Sequence, residues 1–294
     1  MNIAVKPLTI QRGADAPIFI ATGRDTIAIR AGTEIHENGK FRVGFEKDFP
    51  LAIDPALLVA GVDLDIVLTA DDTPAVVPAH AAVLDTLIGG FHFAPGGNAQ
   101  SIAGGDAVPA INPCSIWDAG FRPACADPRG MALVEHAGRR FWCDIYLLNV
   151  DHRGQGTSRF SAEIADGRSL PQAIDGKGQT KKLDYETAKA VYAYHGKQLL
   201  GAEEFFAAAY GVKERSAADK DPKVTGLDAP RTSHFGIMQA TGNMWVWGTD
   251  GHPDDARPSL FGGSWVNGGS AGSRCAPRRL AGLLLRRHLR AGPQ

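Results

Sequence analysis

A glycine-rich stretch from Ala94 to Asp106 constrains the fold most strongly, because it separates two parts of the chain that differ in composition. The stretch reads APGGNAQSIAGGD and has few large side chains, so it can bury little surface and is predicted to connect two domains. All five tryptophans of the 294-residue chain follow it. A second core is therefore expected after the connection, and the chain is predicted to contain two domains.

Short segments rich in Ile, Val, Phe and Thr precede the connection and are separated by turn residues, a pattern typical of β-strands. The predicted strands are Ile18–Ala21, Thr26–Ala31, Thr33–His36, Phe41–Phe45, Leu64–Thr69 and Gly89–Phe93. Between two of them lies Asn38-Gly39, which accepts the two positive φ angles of a type I′ hairpin turn. We therefore predict an N-terminal antiparallel β-sandwich over residues 1–112, including the glycine-rich connection.

Two helices are predicted in the second part of the chain. Asp184 is a suitable N-cap for a helix that ends at His195 before Gly196, and a second helix is predicted over Gly201–Tyr210. The remaining residues are predicted to form short strands and long loops. The expected fold class is α+β, with recognition carried by loops on a rigid frame.

Overall charge excludes several classes of partner. The chain has 31 Lys and Arg against 32 Asp and Glu, so its charge balance does not favour nucleic acid or an anionic membrane. No stretch is apolar enough to span a bilayer, and the N-terminus lacks a secretory signal pattern, so we expect no membrane insertion and synthesis in the cytoplasm.

No enzyme signature or metal motif is recognised. The sequence contains no GxSxG, HExxH, Walker or dinucleotide-binding fingerprint, so no cofactor and no catalytic residue is predicted. Cys114, Cys125, Cys143 and Cys275 lack zinc-ligand spacing and are interpreted as free thiols. A calcium site is an alternative for the cluster of Asp250, His252, Asp254 and Asp255, which we interpret as a surface loop without metal.

Two other polar features have local interpretations. Asp127-Pro128-Arg129-Gly130 is predicted to form a β-turn in which Asp127 caps backbone amides and Arg129 pairs locally. His195 is expected to interact with exposed carbonyl groups at the end of its helix rather than to act in catalysis.

Six strings, distributed in order from Gly89 to Arg274, carry a resemblance to a known family. They are GGFHFAPGGN at 89–98, IWDAGFRPACADPRGM at 116–131, FWCDIYLLN at 141–149, HGKQLLGAEEFF at 195–206, GIMQATGNMWVWG at 236–248 and LFGGSWVNGGSAGSR at 260–274. Together they resemble the phage major tropism determinant family. The resemblance implies a receptor-binding protein of a phage tail fibre, with a C-type-lectin-like domain over residues 113–274.

The resemblance also implies where a receptor would bind. In that family, the segment matching Val266, Asn267, Gly268, Gly269, Ser270 and Ala271 opens a variable region that a diversity-generating retroelement rewrites. These six residues are therefore expected to include variable, receptor-facing positions, and the receptor is expected to be a bacterial surface protein or glycan. The implied location is the fibre tip of the virion, with other tail-fibre proteins as partners and a homotrimeric assembly.

A rigid frame is predicted around this segment. The predicted framework residues are Trp245, Trp247, Gly262, Gly263, Trp265 and Arg274. In a strand, Trp245 and Trp247 would point to the same face, which favours a core role. The glycines would allow close backbone approach.

Two alternative functions remain open. The late strings and HGKQLLGAEEFF also look like the formylglycine-generating enzyme fold, whose oxidases hold copper through a pair of cysteines late in the domain. Only Cys275 follows Cys143 here, so that pair is missing. The other alternative is a fixed structural protein of the virion.

The C-terminal tail, residues 275–294, departs from the family. All but three of its 20 residues are Arg, Leu, Ala, Gly or Pro, the types that GC-rich codons encode in a shifted frame. One hypothesis is therefore a frameshifted end of the variable region. The alternative is a genuine basic amphipathic helix.

Overall fold

The computed structural model describes residues 8–81, 86–98, 105–121, 125–252, 254 and 256–276. Residues 99–104 of the predicted connection and residues 277–294 of the tail lie outside the described residues. The chain is mostly β-structure with few helices, a mixed fold in agreement with the expected class.

The strands are β1 (Leu8–Gln11), β2 (Phe19–Ala21), β3 (Ile27–Ile29), β4 (Thr33–Glu37), β5 (Lys40–Phe45), β6 (Phe49–Leu51), β7 (Val62–Leu68), β8 (Pro74–Pro78), β9 (Thr86–Ala94), β10 (Ala110–Ile111), β11 (Trp117–Asp118), β12 (Met131–His136), β13 (Arg139–Asp144), β14 (Val246–Thr249) and β15 (Pro258–Phe261). The helices are α1 (His152–Gln155), α2 (Tyr185–Tyr194) and α3 (Ala202–Ala208), and short 3₁₀ turns cover Pro55–Leu57, Pro113–Ser115, Ala229–Arg231 and Trp265–Ser270.

The described residues divide into two compact units. The first contains the residues up to Gly97 together with Ala107–Cys143. The second contains the residues from Asp144 onward together with Asn98, Gly105 and Asp106.

The first unit contains the two-stranded sheet β12–β13, except Asp144, and its core is formed by three antiparallel sheets. Their strand orders are β1-β4-β5, β2-β3-β6 and β10-β9-β7-β8, and β11 also pairs with β9. Side chains from all three sheets meet in one apolar core, which includes Ile29, Ile35 and Ile66, each with an exposed fraction of 0%. Burial of such side chains stabilises the unit by about 1.5–3 kcal/mol each relative to exposure.

The six predicted strands of this unit all form. The turn between β4 and β5 also has the predicted geometry, because Asn38 has φ 53° and Gly39 has φ 74°. Both values lie in the left-handed region that a type I′ turn requires.

Residues 113–143 pack with the first unit, so packing divides the chain at a different place from the boundary at 112 and 113 that the sequence pattern suggests. Trp117 of β11 lies opposite Gly90 of β9, where a Cβ atom on Gly90 would be only 2.9 Å from the Trp117 ring. Asp118, whose side chain is fully buried, pairs with Arg12 at 2.8 Å. These contacts join segments that are far apart in the sequence.

Arg129 makes a further contact of this kind. Its backbone amide donates to Asp127 Oδ1 at 3.2 Å, as expected for the predicted turn, and its guanidinium also donates to Asp127. The same guanidinium donates to both carboxylate oxygens of Asp65 on β7 at 3.0 Å. This charge-assisted, bidentate pair attaches the turn to the sheet.

The second unit contains the helices and the β14–β15 hairpin. Asp184 caps α2 as predicted, since its Oδ1 accepts from the Thr187 amide at 3.0 Å. The predicted second helix forms as α3, and its Phe205 stacks on Phe261 of β15 with ring centroids 4.8 Å apart. The short helix α1 lacks an equally clear cap and was not predicted.

Within the part of the chain that the structure describes, no helix has the length and hydropathy needed to cross a membrane.

Candidate functional site

Residues 265–270, here called the display segment, form an irregular 3₁₀ turn after β15. At its start the Asn267 side-chain oxygen accepts from the Ser264 amide at 2.7 Å and from the Ser264 hydroxyl at 2.8 Å. Gly268 interrupts the turn with φ 50° and ψ −126°, a conformation that favours glycine. The backbone therefore has a defined shape rather than that of a flexible linker.

The display segment presents most of its side chains to solvent. Val266 has an exposed fraction of 67% and Trp265 one of 38%. Gly268, Gly269 and Ser270 are also exposed. Trp265, predicted to be a framework residue, is therefore exposed beside Val266, and the two side chains offer apolar surface for contact with a partner.

The structure narrows the predicted set of receptor-facing residues. Asn267 is half-buried, and its side-chain oxygen is used by Ser264. Ala271 has an exposed fraction of 2%, because its methyl group packs against Gly263. A Cβ atom on Gly263 would lie only 2.9 Å from that methyl group. These two side chains shape the turn, whereas Val266, Gly268, Gly269 and Ser270 face outward.

The predicted framework glycines lie directly beneath the display segment. Gly262 has φ 83° and Gly263 has φ 74°, so both adopt left-handed conformations. The Gly262 amide donates to the Cys275 carbonyl at 2.9 Å, and its carbonyl accepts from Gly242 and Gly272, each at 3.1 Å. Gly262 therefore joins its own segment to the one around Gly242 and to the one that contains Gly272 and Cys275.

The predicted tryptophan strand forms only in part. Strand β14 begins at Val246, so Trp245 lies just before it, and both Trp245 and Trp247 are half-buried. Trp247 donates from its indole nitrogen to the Leu183 carbonyl at 3.3 Å and lies edge-on to Tyr185 at 6.2 Å. Trp247 thus joins the hairpin to the start of α2.

A buried polar network at the start of the display segment was missed by the sequence reasoning. The Trp265 amide donates to the Asn243 carbonyl at 3.0 Å, and the Asn243 side chain donates to Asp228 Oδ2 at 3.1 Å. Asp228 Oδ1 in turn accepts from Arg231 at 2.7 Å. Asn243 lies within a predicted string, but nothing in local sequence indicates its partners.

A second missed contact lies at the end of the display segment. The Glu214 carboxylate accepts from the Ser273 amide at 3.1 and 3.2 Å and from the Ser273 hydroxyl. It lies so close to Gly272 that a Cβ atom there would collide with it. A side chain 59 residues away therefore holds the backbone where the exposed turn ends.

Three basic residues are adjacent in sequence to Glu214 and Ser273, which hold the backbone just after the display segment. Lys213 and Arg215 flank Glu214, and Arg274, a predicted framework residue, follows Ser273; all three are exposed. Among the described residues, these three cations take part in no ion pair. This part of the chain therefore carries exposed apolar side chains, at Trp265 and Val266, and exposed basic side chains nearby in sequence.

Asp250 of the candidate calcium cluster has a structural role, whereas Asp255 lies outside the described residues. Asp250 Oδ1 accepts from the amides of His252 at 3.2 Å and Arg257 at 2.9 Å, and these hydrogen bonds lower the pKa of Asp250. This carboxylate closes the loop before β15. In the described part of the chain, no group of three His, Cys, Asp or Glu side chains is arranged to hold a metal ion, and all four cysteines are free.

His195 does not stand alone at the end of α2. Its Nε2 atom lies 2.9 Å from Nδ1 of His152, which is fully buried, and Nε2 of His152 lies 2.8 Å from the Gln172 carbonyl oxygen. Burial, followed by His152 and Lys197, lowers the pKa of His195 against the opposing effect of Asp144. The pair connects α1 to α2.

The chain is mostly β-structure, and hydrogen bonds from residues outside the display segment hold this exposed turn at both ends. These are features of a scaffold that presents an exposed loop. No protein-family model matches the chain. The tail fiber receptor-binding protein of Bordetella phage BPP-1 is 37% identical over 311 residues, covering 92% of this chain and 80% of that protein.

Solved structures give the same result. The M1 and U1 variants of the major tropism determinant each match with a TM-score of 0.81 and 34% identity, covering 91% of this chain and 80% of theirs. The chain belongs to the major tropism determinant family.

Proposed function

We propose that this chain is a phage tail-fibre receptor-binding protein that contacts a bacterial surface through the display segment. The observation that carries the proposal is the exposure of Trp265 and Val266 on a turn held from both ends by residues outside it. Membership of a family whose relative is named a receptor-binding protein supports it. Exposed loops on a rigid scaffold are a common location for binding residues.

We further propose a C-type-lectin-like domain over residues 113–274, of which residues 113–143 pack with the first unit, and an N-terminal β-sandwich before it. The helices α2 and α3 with the β14–β15 hairpin support the first assignment. The shared apolar core of the three N-terminal sheets supports the second.

Within the display segment, Val266, Gly268, Gly269 and Ser270 are the proposed variable positions. Their outward orientation means that exchange would remove few internal contacts, and surface substitutions at Val266, Gly269 and Ser270 are expected to change stability by less than about 0.5 kcal/mol. Gly268 is the exception, because its φ of 50° favours glycine. If a diversity-generating retroelement serves this gene, a reverse-transcriptase gene and a template copy of these codons are expected nearby.

The proposed receptor is a surface protein or glycan of a bacterium, and the proposed location is the tip of the tail fibre, joined to other fibre proteins. A homotrimer, implied by the family, would place three display segments on one fibre. Several weak contacts could then combine, provided that the geometry allows simultaneous engagement. We propose no catalytic activity, since the related proteins are named for receptor binding.

Adsorption of the labelled protein to a panel of bacterial strains tests the proposal. We expect binding to a subset of strains and a loss of at least about tenfold for Val266→Asp, because a charge would replace apolar contact surface. Val59→Asp is the matched control, since Val59 has an exposed fraction of 56% and lies in the first unit. Equal adsorption by Val266→Asp and wild type, on every strain that wild type binds, would contradict the proposal.

A further inference from the structure

One loop, residues 214–218, contacts the chain around both ends of the display segment and is here called the bracing loop. At the end of the segment, Glu214 accepts from the backbone amide and hydroxyl of Ser273. Before its start, the Ala218 amide donates to the Gly242 carbonyl at 2.8 Å. The residue next to Gly242 is Asn243, whose carbonyl receives the Trp265 amide.

A buried arginine strengthens the contact at the start. Arg231 has an exposed fraction of 9% and donates to the Ser216 hydroxyl at 3.1 Å, to the Ala217 carbonyl and to Asp228. The other carboxylate oxygen of Asp228, Oδ2, accepts a hydrogen bond from the Asn243 side chain. The bracing loop is therefore bonded, through one guanidinium and one carboxylate, to the residue that holds Trp265.

The outward-facing residues of the display segment contribute nothing to these bonds. Among the described hydrogen bonds, the side chains of Val266 and Ser270 take part in none, and Gly268 and Gly269 have no side chain. The bonds that set the shape come from Asn267 within the turn and from Glu214, Asp228 and Asn243 outside it.

We propose that Glu214 is a positioning residue for receptor binding: it fixes the end of the display segment independently of the side chains displayed there. The inference rests on the proposed function for its biological meaning, but the positioning itself is a property of the free protein. A carboxylate that accepts from a backbone amide and a hydroxyl makes charge-assisted hydrogen bonds, which are stronger than neutral ones. Gly272 leaves the space that the carboxylate occupies.

Hydrogen exchange in the full chain, without any receptor, tests the positioning. For Glu214→Ala we expect at least about tenfold faster exchange of the Ser273 amide, because its acceptor is lost. Glu214→Gln should give an intermediate rate, since one amide oxygen can still accept, and the thermal midpoint of all variants should remain near that of wild type. Glu186→Ala, a change at an exposed glutamate on α2, is the control and should leave the rate unchanged.

Five outcomes decide the inference. Wild-type exchange at Ser273 in Glu214→Ala would overturn it, and so would a uniform increase throughout the second unit, which indicates general destabilisation. Faster local exchange together with weaker adsorption to the strains that wild type binds would support it. If Glu214→Ala shows faster local exchange but unchanged adsorption, while Val266→Asp lowers adsorption, the role of Glu214 in binding is overturned and the proposed function stands. If Val266→Asp also leaves adsorption unchanged, the proposed function itself has failed.

Discussion

At the scale of single residues, two glycines near the display segment have different requirements. Gly263 has φ 74°, and a Cβ atom there would lie 2.9 Å from the Ala271 methyl group. Gly269 has no positive φ, and the nearest atom to a Cβ on it would be the Arg215 carbonyl oxygen at 3.8 Å, an ordinary contact. The two positions therefore form a matched pair for testing the frame.

We expect Gly263→Ala to lower the free energy of unfolding by at least about 1–2 kcal/mol, because it adds left-handed strain to a steric overlap. Gly269→Ala should change it by less than about 1 kcal/mol, and stabilisation is possible through a less flexible unfolded chain. Urea denaturation of the two variants measures the difference. Equal effects would mean that Gly263 is not a framework residue.

The limits of sequence reasoning are clearest at this scale. The family resemblance predicted receptor-facing positions within 266–271, and four of those residues face outward. The sequence could not show that the Asn267 side-chain oxygen would accept hydrogen bonds from Ser264, or that Ala271 would pack against Gly263. Glu214 and Asp228 escaped notice because their partners are distant in sequence and leave no periodic pattern.

At the scale of elements, helix α2 has a strong N-terminal cap. Asp184 accepts hydrogen bonds from the amide and hydroxyl of Thr187. A hydrogen bond from Lys182 is the largest cause that lowers the pKa of Asp184 to about 2; partial burial opposes it, and the two hydrogen bonds from Thr187 add to it. A carboxylate with a lowered pKa stabilises the folded state above about pH 4, and this stabilisation is lost only as the pH falls through about 2.

We expect Asp184→Ala to lower the free energy of unfolding by about 1 kcal/mol, and Asp184→Asn to lose less, because asparagine also caps helices well. The difference between Asp184→Ala and wild type should be the same at about pH 8 and about pH 5. Chemical denaturation at both values measures it. A difference that disappears by pH 5 would show that the carboxylate is not held in its ionised form.

The histidine pair between α1 and α2 predicts a loss of stability on acidification that begins at a higher pH than the loss at Asp184. His152 donates to the Gln172 carbonyl, so in the neutral pair its Nδ1 accepts from Nε2 of His195. Burial, followed by the electrostatic effects of His152 and Lys197, disfavours a positive charge on His195, and Asp144 opposes these effects. The folded state therefore favours the neutral form of His195.

Because the folded pKa of His195 lies below the ordinary value of 6.5, the unfolded chain binds more protons as the pH falls, and stability is lost on acidification. We expect the thermal midpoint of wild type to fall between about pH 8 and about pH 5.5 by more than that of His195→Gln, whose amide can still donate to His152. Identical profiles for the two proteins would remove the pair as the cause.

Elements were easier to predict from sequence than their assembly. Alternating apolar residues identified the strands around β4 and β9, Asn38-Gly39 identified a turn, and Asp184 identified a helix start, because each signal is local. The placement of residues 113–143 was less accessible, since it depends on the pairs Arg12–Asp118 and Arg129–Asp65, which connect distant segments.

At the scale of the whole molecule, different residues maintain the fold and form the exposed surface. The sheets, the caps and the bracing loop maintain the fold, and a few outward-facing side chains are the proposed contacts with the receptor. If this division holds, binding can change through substitutions that leave stability almost unchanged.

The most direct test randomises Val266, Gly269 and Ser270 together and measures protease resistance and adsorption to bacterial strains for each variant. We predict that most variants remain as resistant as wild type while their adsorption, and the strains they adsorb to, vary widely. Variants that lose resistance and adsorption together, with no folded variant of altered adsorption, would contradict the account.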